Sequence, residues 1–219
     1  MNKPAEITQE YGPFPGIDAV HGVTYDGRHV WLASGDKLNA LDPHTGQVTR
    51  HIDAAASAGT AFDGKCFYQV AGEHIQKIDP HTGEVLASIR TPDGDGHSGL
   101  AWAEGMLWVA HYKSRKIYQV DPDTGKVLNT LQSDRYVTGV TWVDGELWHG
   151  TWEDDASQLR QIDPHTGQVL DSLDMPPGAF VSGLESDGES QFFCGGGATG
   201  KLRSVRRPKR VPQQASPAP

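Results

Sequence analysis

The chain has 219 residues, 37% of them apolar, and a formal net charge of −9. This charge argues against a nucleic-acid partner, because phosphate groups would be repelled over most of the surface. No apolar run is long enough to cross a membrane, and none in the first 30 residues resembles a signal peptide, so we expect a cytoplasmic protein without a membrane partner.

The first predicted element is an extended segment at residues 6–16, whose pattern matches the later segment 169–178. Four copies of the turn sequence Asp-Pro-x-Thr-Gly follow, and their aspartates are Asp42, Asp79, Asp121 and Asp163, at intervals of 37, 42 and 42 residues. Asp accepts backbone hydrogen bonds, Pro presets φ, and Gly supplies a left-handed residue. Each copy therefore predicts a hairpin turn, between two strands that we name c and d.

Two further strands, a and b, precede each turn. Strand a begins with a glycine five times, at Gly22, Gly59, Gly99, Gly139 and Gly183. Five units of about 40 to 45 residues predict an all-β, five-bladed β-propeller of four-stranded antiparallel blades. The fifth unit lacks strand d, so we expect the N-terminal strand to close the last blade and remove an exposed edge.

The predicted propeller occupies residues 1–208 as a single domain. Residues 209–219 are rich in proline and polar side chains, and this composition predicts a disordered C-terminal tail. Cys66 and Cys194 fall in strand b of blades that are not adjacent, so we expect no disulfide.

Histidines that break the pattern of their own blade are the candidate functional residues. Three of the ten histidines occupy the variable position of the repeated turn, where Asp123 also occurs, and are assigned to turn structure. Four others stand where the other blades carry mostly small or apolar residues: His21, His97, His111 and His149. The first three are predicted to lie at the face of the propeller that is formed by the d-to-a and b-to-c connections. His149 is two residues from that end of strand b and is predicted to lie deeper in the blade.

Two chemistries are open for these histidines. Imidazole is a common transition-metal ligand, so the four together predict a possible divalent Zn, Fe or Cu site. Imidazole also transfers protons near neutral pH. Glu185 stands where strand a elsewhere carries Thr or Ala, and a carboxylate there is predicted to act as acid or base, as a metal ligand, or as a partner for a cation or amide in the channel. In the structural alternative, the four histidines are unrelated polar residues that line a water-filled channel.

Two further residues are candidates for substrate binding. Trp152 lies two positions beyond the repeated aromatic residue Trp148 and is predicted to stack on a ligand. Cys194 precedes the glycine-rich loop 195–200, which would leave this thiol accessible, although core packing is the alternative.

The blade sequences resemble a known family. The segments Leu-Trp-Val-Ala at 107–110, Leu-Trp-His-Gly-Thr-Trp at 147–152 and Ile-Asp-Pro-His-Thr-Gly-Gln-Val-Leu at 162–170 are similar to those of the glutamine cyclotransferases. This resemblance implies a five-bladed propeller enzyme that cyclises N-terminal glutamine. Virginiamycin B lyases share the same blade pattern in a seven-bladed, metal-dependent form.

The functional hypothesis is an enzyme that acts on a small-molecule substrate at the channel mouth, by cyclising transfer or by elimination. Its catalytic residues would be His21, His149 and Glu185. The alternative is a non-catalytic propeller that binds a ligand or another protein.

Overall fold

The computed structural model describes residues 3–209, which form 21 strands in five sheets and no helix. The predicted five-bladed β-propeller is confirmed. No described helix is therefore long and apolar enough to cross a membrane. Residues 210–219 of the predicted tail lie outside the described residues.

Each blade is built on four antiparallel strands, and its first strand lies nearest the axis. Two strands precede blade 1: β1 (Lys3–Pro4) and β2 (Ile7–Tyr11). Blade 1 contains β3 (Val23–Tyr25), β4 (Val30–Ser34), β5 (Lys37–Asp42) and β6 (Gln47–Asp53). Blade 2 contains β7 (Thr60–Phe62), β8 (Phe67–Ala71), β9 (His74–Ile78) and β10 (Val85–Arg90). Blade 3 contains β11 (His97–Ala103), β12 (Met106–His111), β13 (Lys116–Val120) and β14 (Val127–Gln132).

Blades 4 and 5 complete the circle. Blade 4 contains β15 (Tyr136–Val143), β16 (Glu146–Glu153), β17 (Ala156–Ile162) and β18 (Val169–Asp174). Blade 5 contains β19 (Leu184–Ser186), β20 (Gln191–Gly195) and β21 (Leu202–Arg206), with β2 as its fourth strand. The first strands of successive blades contact one another around the axis, and β19 contacts β3.

The N-terminal strand closes the last blade, as the sequence predicts. β2 pairs antiparallel with β21, from Ile7 opposite Val205 to Tyr11 opposite Leu202. Closure gives β21 a hydrogen-bonded neighbour on its outer side. The sequence did not indicate a further pairing, in which β1 lies parallel to β18 and makes blade 4 five-stranded.

The repeated turns have the predicted chemistry. In blade 2, the Asp79 carboxylate accepts hydrogen bonds from the backbone N–H groups of His81 at 2.8 Å and Thr82 at 2.9 Å. Gly83 has a φ of 77°, which a side chain would strain. The imidazole of His81 is exposed, so this position is part of a turn.

Aromatic side chains fill the spaces between blades. Trp31 of blade 1 packs edge-on against Phe67 of blade 2, with ring centroids 4.8 Å apart, and Trp148 of blade 4 packs against Phe192 of blade 5 at 5.1 Å. Such pairs contribute about 1 kcal/mol each beyond the apolar area they bury. All four side chains are buried, so these pairs exclude water from the spaces between blades.

A ring of five glycines closes the axis. These are the glycines that begin strand a: Gly22, Gly59, Gly99, Gly139 and Gly183. A Cβ atom on Gly59 would lie 2.5 Å from the backbone nitrogen of Leu100, and one on Gly183 would lie 2.5 Å from the carbonyl oxygen of His21. The backbones approach so closely that only glycine fits. No space for a water molecule is left between them, so this glycine ring separates an upper part of the axis from a lower part.

Candidate functional site

The upper end of the axis opens into a pocket of about 330 Å³. It lies above the glycine ring, at the face formed by the d-to-a and b-to-c connections. We call it the upper pocket, and its lining includes His21, Ser57, His97, Tyr112, Phe180 and Ser182. Its size is in the range of small-molecule sites.

His21 is the pocket residue best placed for proton transfer. Its backbone N–H donates to the carbonyl of Ala33 at 2.9 Å, which fixes the start of strand a. The imidazole is half-buried and makes no hydrogen bond to any residue in 3–209. Burial lowers the pKa of His21 below its ordinary value, so the neutral imidazole, which can accept a proton, predominates at pH 7.

His97 borders the same pocket, but both of its ring nitrogens lie against carbonyl groups. Nδ1 is 3.2 Å from the oxygen of Ala110, and Nε2 is 2.6 Å from the oxygen of Pro92. Burial is the largest influence on its pKa and lowers it, and the neighbouring His111 acts in the same direction. This arrangement makes His97 an anchor for the 92–96 loop.

His111 packs edge-on against His97, with ring centroids 4.8 Å apart. Its Nδ1 accepts a hydrogen bond from the backbone N–H of Ser114 at 3.2 Å. The two rings thus form a pair within blade 3. Beside them, the Asp93 carboxylate accepts from the hydroxyl of Tyr118 and from Lys116 Nζ.

His149 lies away from the axis, between blades 3 and 4. It is only 1% exposed and borders a cavity of about 30 Å³ with Ile117 and Asp134. Its Nδ1 has no hydrogen-bond partner among residues 3–209. Burial lowers the pKa of His149 to about 4, and the nearby Arg160 guanidinium acts in the same direction. The structure does not bring His149 to the upper pocket.

Glu185 lies on the other side of the glycine ring, two residues beyond Gly183 on β19. Its carboxylate accepts hydrogen bonds from the Thr141 hydroxyl at 2.5 Å, the Thr24 hydroxyl at 3.0 Å and the Ser186 N–H at 2.8 Å. Burial nevertheless raises the pKa of Glu185 to about 7. Thr24 and Thr141 belong to blades 1 and 4, so the carboxylate joins the inner strands of three blades.

The residues expected to hold a metal ion are dispersed. Within residues 3–209, no three His, Cys, Asp or Glu side chains are grouped so that they could hold a metal ion. Both ring nitrogens of His97 face carbonyl oxygens, and His149 lies in another part of the molecule, so the four histidines do not converge on one point that could hold a metal. Metal dependence stays a prediction from the sequence.

The two residues predicted to bind substrate have different surroundings. Trp152 packs edge-on against Phe180, with ring centroids 4.9 Å apart, and so supports a wall of the upper pocket. Cys194 is fully buried in the core, and burial raises the pKa of its thiol to about 12. This environment matches the alternative in which Cys194 is a core-packing residue. Both Cys66 and Cys194 are free thiols.

Sequence reasoning missed several residues of the upper pocket, namely Ser57, Tyr112, Phe180 and Ser182. The sequence carried a signal for one of them, Ser182. The blade position of His21 is occupied by Ser98, Thr138 and Ser182 in three other blades, so this position carries a polar side chain near the axis in four blades of five. Ser98 and Ser182 donate to the carbonyls of Val137 and Val20.

These features define the class of protein: a five-bladed β-propeller whose closed axis carries an open pocket at one end. A family model described as "Outer membrane protein assembly factor BamB" matches residues 15–141, and the chain belongs to this propeller family. A model described as "Glutamine cyclotransferase" matches residues 129–195. The resemblance to glutamine cyclotransferases expected from the sequence is confirmed. No curated protein sequence matches the chain significantly.

Solved structures share the fold. A glutaminyl cyclase from Myxococcus xanthus superimposes with a TM-score of 0.76 at 19% identity, covering 94% of this chain and 97% of that one. The WD40 β-propeller domain of Doa1 gives a TM-score of 0.56 at 16% identity, over 87% of this chain and 64% of that one. A chain of a mitotic checkpoint complex gives 0.53 at 14% identity, over 86% and 61%.

Proposed function

We propose that this protein is an enzyme of cyclotransferase type, which acts on a small polar molecule or on the N-terminus of a peptide in the upper pocket. The observation that carries the proposal is His21, a half-buried imidazole with no hydrogen bond to a described residue, placed on a pocket of about 330 Å³. The likeness to glutamine cyclotransferases supports the choice of reaction.

Cyclisation of an N-terminal glutamine needs one proton carrier. The α-amine nitrogen attacks the side-chain carboxamide carbon, a new C–N bond forms, and the amide nitrogen leaves as ammonia after the tetrahedral intermediate collapses. The proton lost by the attacking amine must reach the leaving nitrogen. Neutral His21 can accept it and then deliver it, because burial keeps the pKa of His21 below its ordinary value.

The pocket also suits a neutral amine. Among the described residues that line it, none is a carboxylate, so no ion pair there stabilises the unreactive ammonium form. Ser57 and Tyr112 carry hydroxyl groups without a hydrogen-bond partner in residues 3–209. These hydroxyls are the candidate donors to the oxyanion of the tetrahedral intermediate.

The test is formation of pyroglutamyl peptide from a peptide that begins with glutamine, followed by mass spectrometry. We expect turnover by the unaltered protein and a loss of about 100-fold or more in His21→Gln, since a general acid–base group contributes about that much. The matched control is His51→Gln, because His51 is an exposed histidine on the outer strand β6. Equal turnover in His21→Gln and His51→Gln would refute the role of His21.

A non-catalytic binding propeller is the second candidate. It is favoured by the described lining of the pocket, in which His21 alone would have to act as both base and acid, since both ring nitrogens of His97 face carbonyl oxygens. In this case the peptide would bind with an affinity that depends on His21, and no ammonia would be released. Calorimetric titration together with an ammonia assay distinguishes the two candidates.

A further inference from the structure

A second concave site lies on the opposite face, between blades 1 and 2. It is a groove of about 440 Å³ formed by the a-to-b turns of both blades, the outer strand β6 and the c-to-d turn of blade 2. Its charged lining consists of Arg28, Arg50, Lys65 and Asp26. We call it the cationic groove. The closed glycine ring lies between it and the upper pocket.

The three cations of the groove have no acidic partners. Arg28, Arg50 and Lys65 are exposed and form no salt bridge with any residue in 3–209. The Asp26 carboxylate does not serve them, because it is occupied by the N–H groups of Arg28 and His29 and by Trp31 Nε1. The groove is therefore locally positive in a chain whose formal charge is −9.

The positive charge is specific to this pair of blades. The a-to-b turns of blades 1 and 2 carry Arg28 and Lys65, whereas the corresponding turns at 104–105, 144–145 and 187–190 contain no cation. Those turns carry Glu104, Asp144 and Glu189 instead. The turns of blades 1 and 2 thus combine a cation with Asp26 or Asp63, whereas the other three turns carry only carboxylates, of which Asp144 is paired with Arg207.

The groove also has an aromatic wall. The guanidinium carbon of Arg50 lies 4.6 Å from the ring centroid of Trp31, which holds the planar cation in place. One N–H of Arg50 donates to the carbonyl of Pro80 at 3.3 Å, and its other donors have no partner among the described residues. Phe62 is part-exposed in the lining, next to buried Phe67.

We infer that the cationic groove binds a small organic anion in which a carboxylate, sulfonate or phosphate group is attached to a flat apolar body. Arg28, Arg50 and Lys65 would contact the anionic group, and Phe62 would contact the apolar body. A preformed guanidinium plane can donate two parallel hydrogen bonds to two oxygens of such an anionic group. This site is independent of the function proposed for the upper pocket.

The test uses naphthoate as the probe and its neutral counterpart naphthalenemethanol as the chemical control, with amide shifts followed by NMR. We expect naphthoate to shift the amides of Gly64 and Phe67, and the alcohol to bind at least tenfold more weakly. Affinity should fall as salt is added, because exposed charges are screened.

Variants of equal charge provide the matched comparison. The triple variant Arg28→Gln, Arg50→Gln, Lys65→Gln should lose about tenfold or more in affinity for naphthoate. The control triple variant Arg90→Gln, Lys113→Gln, Lys126→Gln removes the same charge from exposed positions outside the groove and should bind as the unaltered protein does.

Several results would overturn the proposal. They are equal binding of acid and alcohol, equal loss in both triple variants, or shifts confined to the amides of Tyr112 and Gly197 in the upper pocket. If the groove triple variant fails to fold, the single variant Lys65→Glu reverses an exposed turn charge and must still weaken naphthoate binding. Unchanged binding in that variant would refute the inference.

Discussion

Replacing Glu185 by glutamine should change how the stability of the propeller depends on pH. In the folded protein, burial raises the pKa of Glu185 from its ordinary value of 4.5 to about 7. Between these two values the folded state holds a proton that the unfolded state has released, so stability is lost as pH rises through this window. Glutamine carries no proton-linked charge, and Glu185→Gln should lose this dependence.

The expected magnitude follows from the raised pKa. At about 1.4 kcal/mol per tenfold change in proton affinity, raising the pKa from 4.5 to about 7 corresponds to about 3 kcal/mol. Because the Glu185 side chain is part-exposed, solvent screening reduces this value, and we expect a measured effect of about 2 kcal/mol. Relative to the unaltered protein, Glu185→Gln should therefore gain this amount between pH 4.5 and pH 8.

Urea unfolding at several pH values measures this difference directly. Histidines with lowered pKa, such as His149 and His21, also make stability depend on pH, but they are the same in both proteins and cancel in the comparison. The control is Glu84→Gln, an exposed turn glutamate, which should show no such gain. If the free energies of unfolding of Glu185→Gln and the unaltered protein differed by the same amount at every pH, the raised pKa of Glu185 would be refuted.

Two further substitutions test the packing between blades and at the axis. His149→Leu should raise the free energy of unfolding at pH 7 by about 1 kcal/mol, because it removes a buried nitrogen that has no partner among the described residues. Leucine is also the residue at the same position of blade 1, Leu32. Destabilisation in urea unfolding would contradict this expectation. Gly59→Ala should lower the free energy of unfolding by about 3 kcal/mol, because the added Cβ would lie 2.5 Å from backbone atoms of Gly99 and Leu100. A change of less than about 0.5 kcal/mol would contradict this close approach of the backbones.

Local chemistry explains why the fold could be predicted. The Asp-Pro-x-Thr-Gly turns are specified within five residues, as the bonds from His81 and Thr82 to Asp79 show. Counting these turns and the strand-a glycines was enough to predict five blades and the closure by β2. The parallel pairing of β1 with β18 depends on contact between distant parts of the chain, and no local signal indicates it.

The candidate site could be predicted only in part, because the site depends on which side chains several blades bring together. The repeats correctly indicated that His21 and His97 lie near one face. They also carried a signal for His149, since Leu32 and Val109 at the same position are core residues that pack between blades, but only the structure shows that this direction leads away from the upper pocket. The separation of Glu185 from His21 arises from the glycine ring, which is a property of the whole circle.

The glycine ring has a consequence for the number of blades. Its diameter is determined by contacts between backbone atoms, since the inner strands approach until no side chain or water fits between them. A duplicated blade would widen the circle and leave an axial hole that glycines cannot fill, and a deleted blade would make the backbones collide. A descendant of this chain could therefore change its blade count only by also replacing these glycines, which ties the size of the circle to five single positions in the sequence.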